Sequence, residues 1–424
     1  MKSSIQRLLS TTTAAATRDK LHRVALTQRA TPVSLLNLYH FGKQSAKDPS
    51  QRLRNAQFLH KELQVRIAQR VLELERLPLG MAQTKHVRDV VRWFTEYFHL
   101  ISNHPYPNDD QGEESFSQTL RTVLQDHNSV VETMARGALE VKSRPDIDNA
   151  ARTTIDSVLS RFYMARIGLR FLIEHHIQSR VPHEGFAGII QSQCSPIECV
   201  ERAASEATMI CTHHLGEAPE FDLLQVQRDG TRKRRGDPGS DITFTYVPGH
   251  LIYMLTEVIK NAARATVETH GGKKMLPPIR IIIVDGSTDV TIRISDEGGG
   301  IKRKNLDMIW SYLHTTAKSP PLLNSEDGMG GDGGGGSNVP ALAGYGVGLP
   351  LSRLYARYFG GDLAIKSLEG FGTDAYLHVS RLGHDCENLP EGVLQSPAER
   401  DSTLLRGMSS TIVFKDIEPT SAGK

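Results

Sequence analysis

The chain changes texture once, near Pro182, and that change limits the folds open to it. From about Pro32 to Val181 apolar residues recur every three or four positions with few glycines between them. "NAQFLHKELQVRIAQRVLELERL", "HVRDVVRWFTEYFHLI" and "SVLSRFYMARIGLRFLIEHHI" all show the pattern. That period marks amphipathic helices. The breaks at "NHPYPNDDQGEE" and "KSRPDID" divide them into four or so antiparallel members of a bundle. Beyond Pro182 short β-rich runs take over: "DITFTYVP", "IRIIIVDG", "VTIRISD", "GDLAIKSLEG" and "TDAYLHV". Two helical stretches lie among them, one starting at His250 and one at Pro350. The last two runs form a hairpin around a Gly-containing turn. The fold class is therefore α followed by α+β.

At 424 residues the chain exceeds one ordinary core, which agrees with two domains plus extensions. The domains expected are a helical bundle over residues 29–182 and an α/β domain over residues 183–382. A formal net charge of only +2 argues against a nucleic-acid surface, and no uninterrupted apolar run approaches a membrane span. Cys194, Cys199, Cys211 and Cys386 lack the CxxC pairing of a zinc site and suit a reducing compartment. The opening "MKSSIQRLLSTTTAAATRDKLHR" is basic and rich in hydroxyls, with Asp19 as its only acid. That is the composition of a mitochondrial transit peptide, expected to be disordered over residues 1–28 and directing the protein to the matrix. "RDGTRKRRGD" reads as a solvated loop, and residues 383–424 as an irregular tail. "EDGMGGDGGGGSNVP" reads as a flexible lid, spanning about 302–343, because ordering so many glycines is entropically costly. His127 and the pair His175–His176 fall within the helical pattern and read as bonded core residues.

Four motifs in the second half carry chemistry. In "EVIKNAARAT" Glu257 and Asn261 are four apart and share a helix face, flanked by Lys260 and Arg264; Leu251, Leu255, Val258 and Ala262 serve the buried side. An amide oxygen such as that of Asn261 suits the octahedral oxygen shell of Mg²⁺. In "SDEGGGI" Asp296 ends a strand, and Gly298 and Gly300 let the chain turn beneath a flat ligand. A carboxylate there can accept from an exocyclic amino group such as that of adenine. In "GYGVGLPLSRLYARYFGGDL" Gly344, Gly346 and Gly348 precede a helix whose N-terminus suits a phosphate. In "GFGTD" Thr373 brings a hydroxyl between two late strands. Each motif alone also reads as an ordinary turn or a solvated helix face. A protein-kinase motif set and a Walker A sequence are both missing.

In order and spacing the four resemble the N, G1, G2 and GT elements of the GHKL ATPases, the superfamily of gyrase, Hsp90, histidine kinases and MutL. "KNAARATVE", "DEGGGI", "GYGVGLPLSRLYARYFGGDL" and "GFGTDAYLHV", with the helical "FLHKELQVRIAQRV", further resemble the mitochondrial α-ketoacid dehydrogenase kinases. The likeness runs from about Thr31 to Leu382. It implies a four-helix bundle followed by a GHKL (Bergerat-type) α/β sandwich, a homodimer, and docking on the lipoyl domain of an E2 subunit. It also implies Mg-ATP-dependent phosphorylation of a serine on an E1 alpha subunit. On this resemblance Glu257 is the base, Asn261 the Mg²⁺ ligand, and Lys260 and Arg264 balance phosphate charge. Asp296 reads adenine, Thr315 and Thr316 touch nucleotide, and Gly344, Tyr345, Gly346, Val347, Gly348 and Leu349 wrap the phosphates. Thr373 completes the adenine end.

Two departures bear on the substrate. Tyr253 stands where pyruvate dehydrogenase kinases usually have His, as in the branched-chain enzyme. The Asp-Trp tail pair used in dimer crossover is missing too, since the chain has only Trp93 and Trp310. "SRLYARYFGGDL" and "RFYMARIGLRFL" read closer to the pyruvate branch, which is the one expected. The alternatives are the branched-chain E1 alpha subunit as substrate and an ATP-gated binding module without transfer activity. Glu257 beside Asn261 argues against the last.

Overall fold

Capped helices build the first half of the computed structural model, which describes residues 11–237, 239, 241–272, 275–312, 314, 346–381 and 387. Helix α1 is Thr11–Thr27 and α2 is Leu35–Ser45. Helix α3, Pro49–Glu75, starts with Asp48 accepting from Ser50 N and Pro49 at the first position. Thr84 caps α4, Lys85–Asn103, and Asp109 caps α5, Asp110–Asp126. Helix α6 is Val130–Lys142, and Asp148 caps α7, Asn149–Gln178. Helices α3 to α7 pack around Leu63, Ile67, Phe94, Phe98, Phe116, Leu120 and Phe162, all essentially without exposure.

Between α5 and α6 the chain makes one tight turn at His127–Ser129. The carbonyls freed there are taken by α7: Arg170 Nη1 donates to Leu124 O (3.1 Å) and Arg166 Nη2 to His127 O (2.9 Å). His127 is fully buried and edge-on to Phe94; burial holds its pKa well below the ordinary value. His175 bonds Leu38 O (2.9 Å), and burial pulls its pKa down to about 4. His176 meets Ser117 Oγ at 3.0 Å. All three are core histidines.

The second half is a layered α/β unit. Among the described residues a small sheet joins β1 (Phe186–Ala187), β2 (Ile190–Cys194) and β5 (Phe244–Tyr246). The main sheet has the order β4-β3-β6-β7-β9-β8, from β3 (Phe221–Val226), β4 (Arg232–Lys233), β6 (Ile279–Asp285), β7 (Asp289–Asp296), β8 (Asp362–Leu368) and β9 (Gly372–Ser380). Only β3 and β6 pair in parallel. On one face Ile281, Ile283, Val290, Ile292, Ile294, Leu377 and Val379 are buried beneath helices, with Arg293 and Ser295 on the other face. Helix α9 (Pro248–His270) contacts β7 and α10 (Gly348–Tyr358) contacts β8 and β9, while α8 (Pro196–Leu215) packs on α9. Phe171 of α7 packs edge-on against Phe359 beyond α10 (5.2 Å), so the bundle and the sheet unit share one continuous core.

Four expectations need correction. Residues 11–27 are helical rather than disordered. Thr17, Leu21 and Ala25, spaced by four, are buried, and the basic face finds acids and carbonyls: Arg18 and His22 meet Glu75 at 2.7 and 2.8 Å, and Lys20 donates to Ser102 O. Burying Leu21 alone favours docking by about 2 kcal/mol. The basic loop contains edge strand β4, hairpin-paired with β3. A third helix, α8, joins the two expected in this half; Ser195 at its cap, Pro196 and Glu198 form its start signal. Of the expected lid, residues 302–312 are fixed in two short turns against their neighbours. Residues 315–343 lie outside the described residues, as do Cys386 and the tail beyond 387.

Candidate active site

Helix α9 is the spine of the site. Leu251, Leu255, Val258 and Ala262 are buried, and this turns Glu257, Asn261 and Arg264 outward, half-buried. Lys260 is buried and donates Nζ to Glu257 Oε1 (2.8 Å), which fixes the carboxylate and leaves Oε2 without a partner among the described residues. The Asn261 amide makes no hydrogen bond among the described residues. Arg264 Nε is buried and unbonded, 3.8 Å from Glu268. Polar groups left so cost stability, which the fold accepts where a ligand is to meet them. Tyr253, one turn before Glu257, packs its ring 5.0 Å from Tyr355. Burial, with the Glu257 charge beside it, keeps its hydroxyl protonated far above the ordinary range.

Opposite Glu257 stands the start of α10. Val347 occupies the cap position and offers no side-chain acceptor. The first bond of the helix is Leu351 N to Val347 O (2.9 Å), so the N–H groups of Gly348 and Leu349 have no partner within the helix. Such a terminus holds phosphate. Two glycines are required here. A Cβ on Gly348 would sit 2.0 Å from Glu257 Oε2. Gly346 has φ +73°, and a Cβ there would sit 2.3 Å from His314 O. Val347 is buried and anchors the turn; Leu349 packs on the core. Thr315, Thr316, Gly344 and Tyr345 lie outside the described residues.

The other end of the site is the terminus of β7. Asp296 faces Thr373 across the β7–β9 pair, and its Oδ1 accepts from Gly298 N (2.8 Å) and Thr373 N (3.3 Å). Oδ2 has no partner among the described residues. Thr373 Oγ1 meets Ser367 Oγ at 3.0 Å. Gly298 lies against α9, where a Cβ would come 2.6 Å from that of Ala265, and Gly300 abuts Leu368 O. From Glu257 to Ala265 is about 12 Å along the helix, room for an extended nucleotide with phosphates at one end and base at the other. A cavity of ≈ 550 Å³ on the outer sheet face, among Arg280, Arg293, Lys366 and Asp374, reaches Asp296 and Thr373 and is lined by no residue of α9.

Burial pushes the Asp296 carboxyl up to about 6; the two amides oppose the rise and Asp374 adds to it. Its ionised form is therefore disfavoured by folding, so this group's stability contribution is full below its ordinary pKa and lost as pH rises through 6. Asp296→Asn should raise the melting temperature of the nucleotide-free protein at pH 7.5 by a few degrees, with the gain shrinking towards pH 5. Its carbonyl would stay on the two amides and turn NH₂ toward an adenine amino group, donor against donor. ATP affinity should fall at least tenfold, about 1.4 kcal/mol, in the same preparation. Unaltered affinity would remove Asp296 from the site.

Sequence reasoning had no local signal for His314, whose backbone underlies Gly346, nor for Trp310, whose ring carries the Arg353 guanidinium at 4.2 Å. Two family models match the chain. One is described as mitochondrial branched-chain alpha-ketoacid dehydrogenase kinase, over residues 32–191. The other is the histidine kinase-, DNA gyrase B- and HSP90-like ATPase, over residues 246–382. The mitochondrial pyruvate dehydrogenase (acetyl-transferring) kinase of Arabidopsis thaliana is 42% identical over 368 residues, 85% of this chain and 93% of its own. Human isozyme 4 is 37% identical over 366 residues, 85% of this chain and 84% of its own. The Drosophila melanogaster kinase is 34% identical over 370 residues, 84% and 83%. By these matches the chain belongs to the pyruvate dehydrogenase (acetyl-transferring) kinase family, on a GHKL ATPase fold.

Proposed function

We propose that the protein transfers the γ-phosphoryl group of Mg-ATP to a serine on the E1 alpha subunit of the mitochondrial pyruvate dehydrogenase complex, inactivating it. The observation that carries the chemistry is the Glu257 carboxylate, held at Oε1 by Lys260, with Oε2 facing the uncapped start of α10. In this reading Oε2 accepts the seryl proton as the hydroxyl oxygen bonds to phosphorus and ADP leaves. The α10 amides and Arg264 meet phosphate oxygens, and Asp296 orients adenine. The free amide of Asn261 suits a Mg²⁺ ligand; when bound, the ion supplies neutralisation of phosphate charge. Positioning and charge stabilisation are what phosphoryl transfer chiefly asks of a protein. The relatives named mitochondrial support mitochondrial location, and the family likeness supports the matrix. The family likeness supports a homodimer docked on the lipoyl domain of E2, where tethering raises effective concentration. Among the described residues no helix is long and apolar enough to cross a membrane.

A second reading has support of its own. Tyr253 and the description of the matched model over residues 32–191 favour the branched-chain E1 alpha subunit. Incubating the kinase with labelled ATP and each reconstituted E1–E2 complex, with and without the lipoyl domain, separates the two. Label is expected on serine of pyruvate E1 alpha, faster with the lipoyl domain. Label confined to branched-chain E1 would transfer the assignment. An ATP-binding protein that labels neither would be a binding module.

A further inference from the structure

Met308–Tyr312 lies between the helical bundle and the nucleotide site. Its turn Met308–Trp310 places the Trp310 ring against Arg353 of α10. The next two residues are bonded to the bundle. Asp156 of α7 accepts from Ser311 Oγ at Oδ2 (2.6 Å) and from Tyr312 N at Oδ1 (3.1 Å). Lys142, the last residue of α6, donates to Asp156 Oδ1 (2.6 Å), Tyr312 O (2.7 Å) and Ser311 Oγ (3.2 Å). Those three bonds use every proton of the ammonium group. The Tyr312 hydroxyl meets Ser160 Oγ at 3.2 Å, and its ring lies 5.3 Å from that of Tyr163.

Lys142 is 7% exposed. A buried ion pair is a poor way merely to glue two helices, because well-packed apolar side chains of similar size do as well or better. What this pair adds is direction. Lys142 and Asp156 together grip the carbonyl and the amide of one residue, Tyr312. Two residues on, the His314 backbone is the surface on which Gly346 rests, too near to admit a side chain. Gly348, two further on from Gly346, touches Glu257 in the same way. The bundle thus holds Tyr312, and His314, two residues on, supports the turn whose Gly348 touches the base.

We propose that Lys142 and Asp156 are positioning residues for phosphoryl transfer, fixing Tyr312 and, two residues on, the His314 backbone that supports the Gly346–Gly348 turn for ATP. The inference rests on the nucleotide-site reading above but not on which E1 is the substrate. In a flexible segment the turn would be displaced, and misplacement of about 1 Å in such a site costs up to roughly 10²-fold.

The test measures ATP affinity by direct titration, KM for ATP and kcat on E1, and the thermal midpoint without nucleotide, all on the full-length protein. Asp156→Ala removes the acceptor for three donors. It should weaken ATP binding and raise KM at least about tenfold, with kcat at saturating ATP within about threefold. Asp156→Asn keeps an oxygen for Tyr312 N and Lys142 and offers an amide hydrogen to Ser311 Oγ, so affinity should return to within about threefold. Lys142→Met should resemble the Ala variant. Ser311→Ala, which deletes two bonds and no charge, should give a smaller loss in the same direction even if the Ala variant of Asp156 fails to fold. A purely structural role would lower the thermal midpoint while folded protein bound ATP with parental affinity, and that result overturns the proposal. So does an Asn variant as impaired as the Ala variant. Loss of E1 labelling by the parent, with ATP titrations that still follow this pattern, would overturn the kinase reading and leave the positioning role standing.

Discussion

Glu257→Gln binds ATP within about threefold of the parent and transfers phosphate roughly 10²–10⁴-fold more slowly, the range a positioned general base contributes. The expectation follows from the division of labour within one carboxylate. Oε1 is held by Lys260 at 2.8 Å, and a Gln carbonyl keeps that bond. The position of Oε2, beside Gly348, becomes an amide nitrogen that cannot take a proton. Nothing else within the turn replaces it: Tyr253 is held protonated by burial and by Glu257 itself, and removing that charge does not make it a base at neutral pH. The measurement is single-turnover transfer to E1 beside an ATP titration of the same preparation. Transfer within a few-fold of the parent would show that Glu257 is not the base. Equal loss of ATP affinity would make it a binding residue instead.

The elements proposed to hold nucleotide could be placed on helix, strand and turn from the sequence because each is set by local geometry. Glu257 and Asn261 share a face because they are four apart on a helix, Asp296 ends a strand with alternating burial, and the glycines mark where backbone and backbone touch. The same locality misled at the N-terminus. "RDKLHRVALT" has the charge of a leader, and only Glu75 and Ser102, far along the chain, reveal that Arg18, His22 and Lys20 have partners in a folded bundle. Distance also hid the grip of Lys142 and Asp156 on Tyr312, which joins residues more than 150 apart. Helix α8 is a different case: its Ser-Pro-x-Glu start is present in the sequence as an ordinary helix signal. What the sequence carried, then, was the list of parts and their local pose. What it did not carry was how the bundle bonds Ser311 and Tyr312.

Asn261→Ala should separate ligand binding from stability more cleanly than any other change in the site. The Asn261 amide sits half-buried on α9, between Lys260 and the covered residues Ala262 and Ala263, and bonds to no described residue. Truncation therefore breaks no hydrogen bond among the described residues. Alanine is also the better helix former, by a few tenths of a kcal/mol. The thermal midpoint without nucleotide should stay level or rise by about a degree. With Mg²⁺ and ATP the outcome reverses. If the amide oxygen is the protein's donor to the ion, its loss should weaken Mg-dependent ATP binding by roughly 10²-fold, at the upper end of what outer-shell partners of a metal contribute. The residual affinity should be the same with Mg²⁺ as with EDTA, because in the proposed site Asp296, Thr373 and the α10 amides would still hold base and phosphates. Titrations with and without the ion give both numbers from one sample. A variant that kept its full response to Mg²⁺ would place the metal ligand elsewhere, and one that lost ATP equally in EDTA would make Asn261 a contact to the nucleotide rather than to the ion.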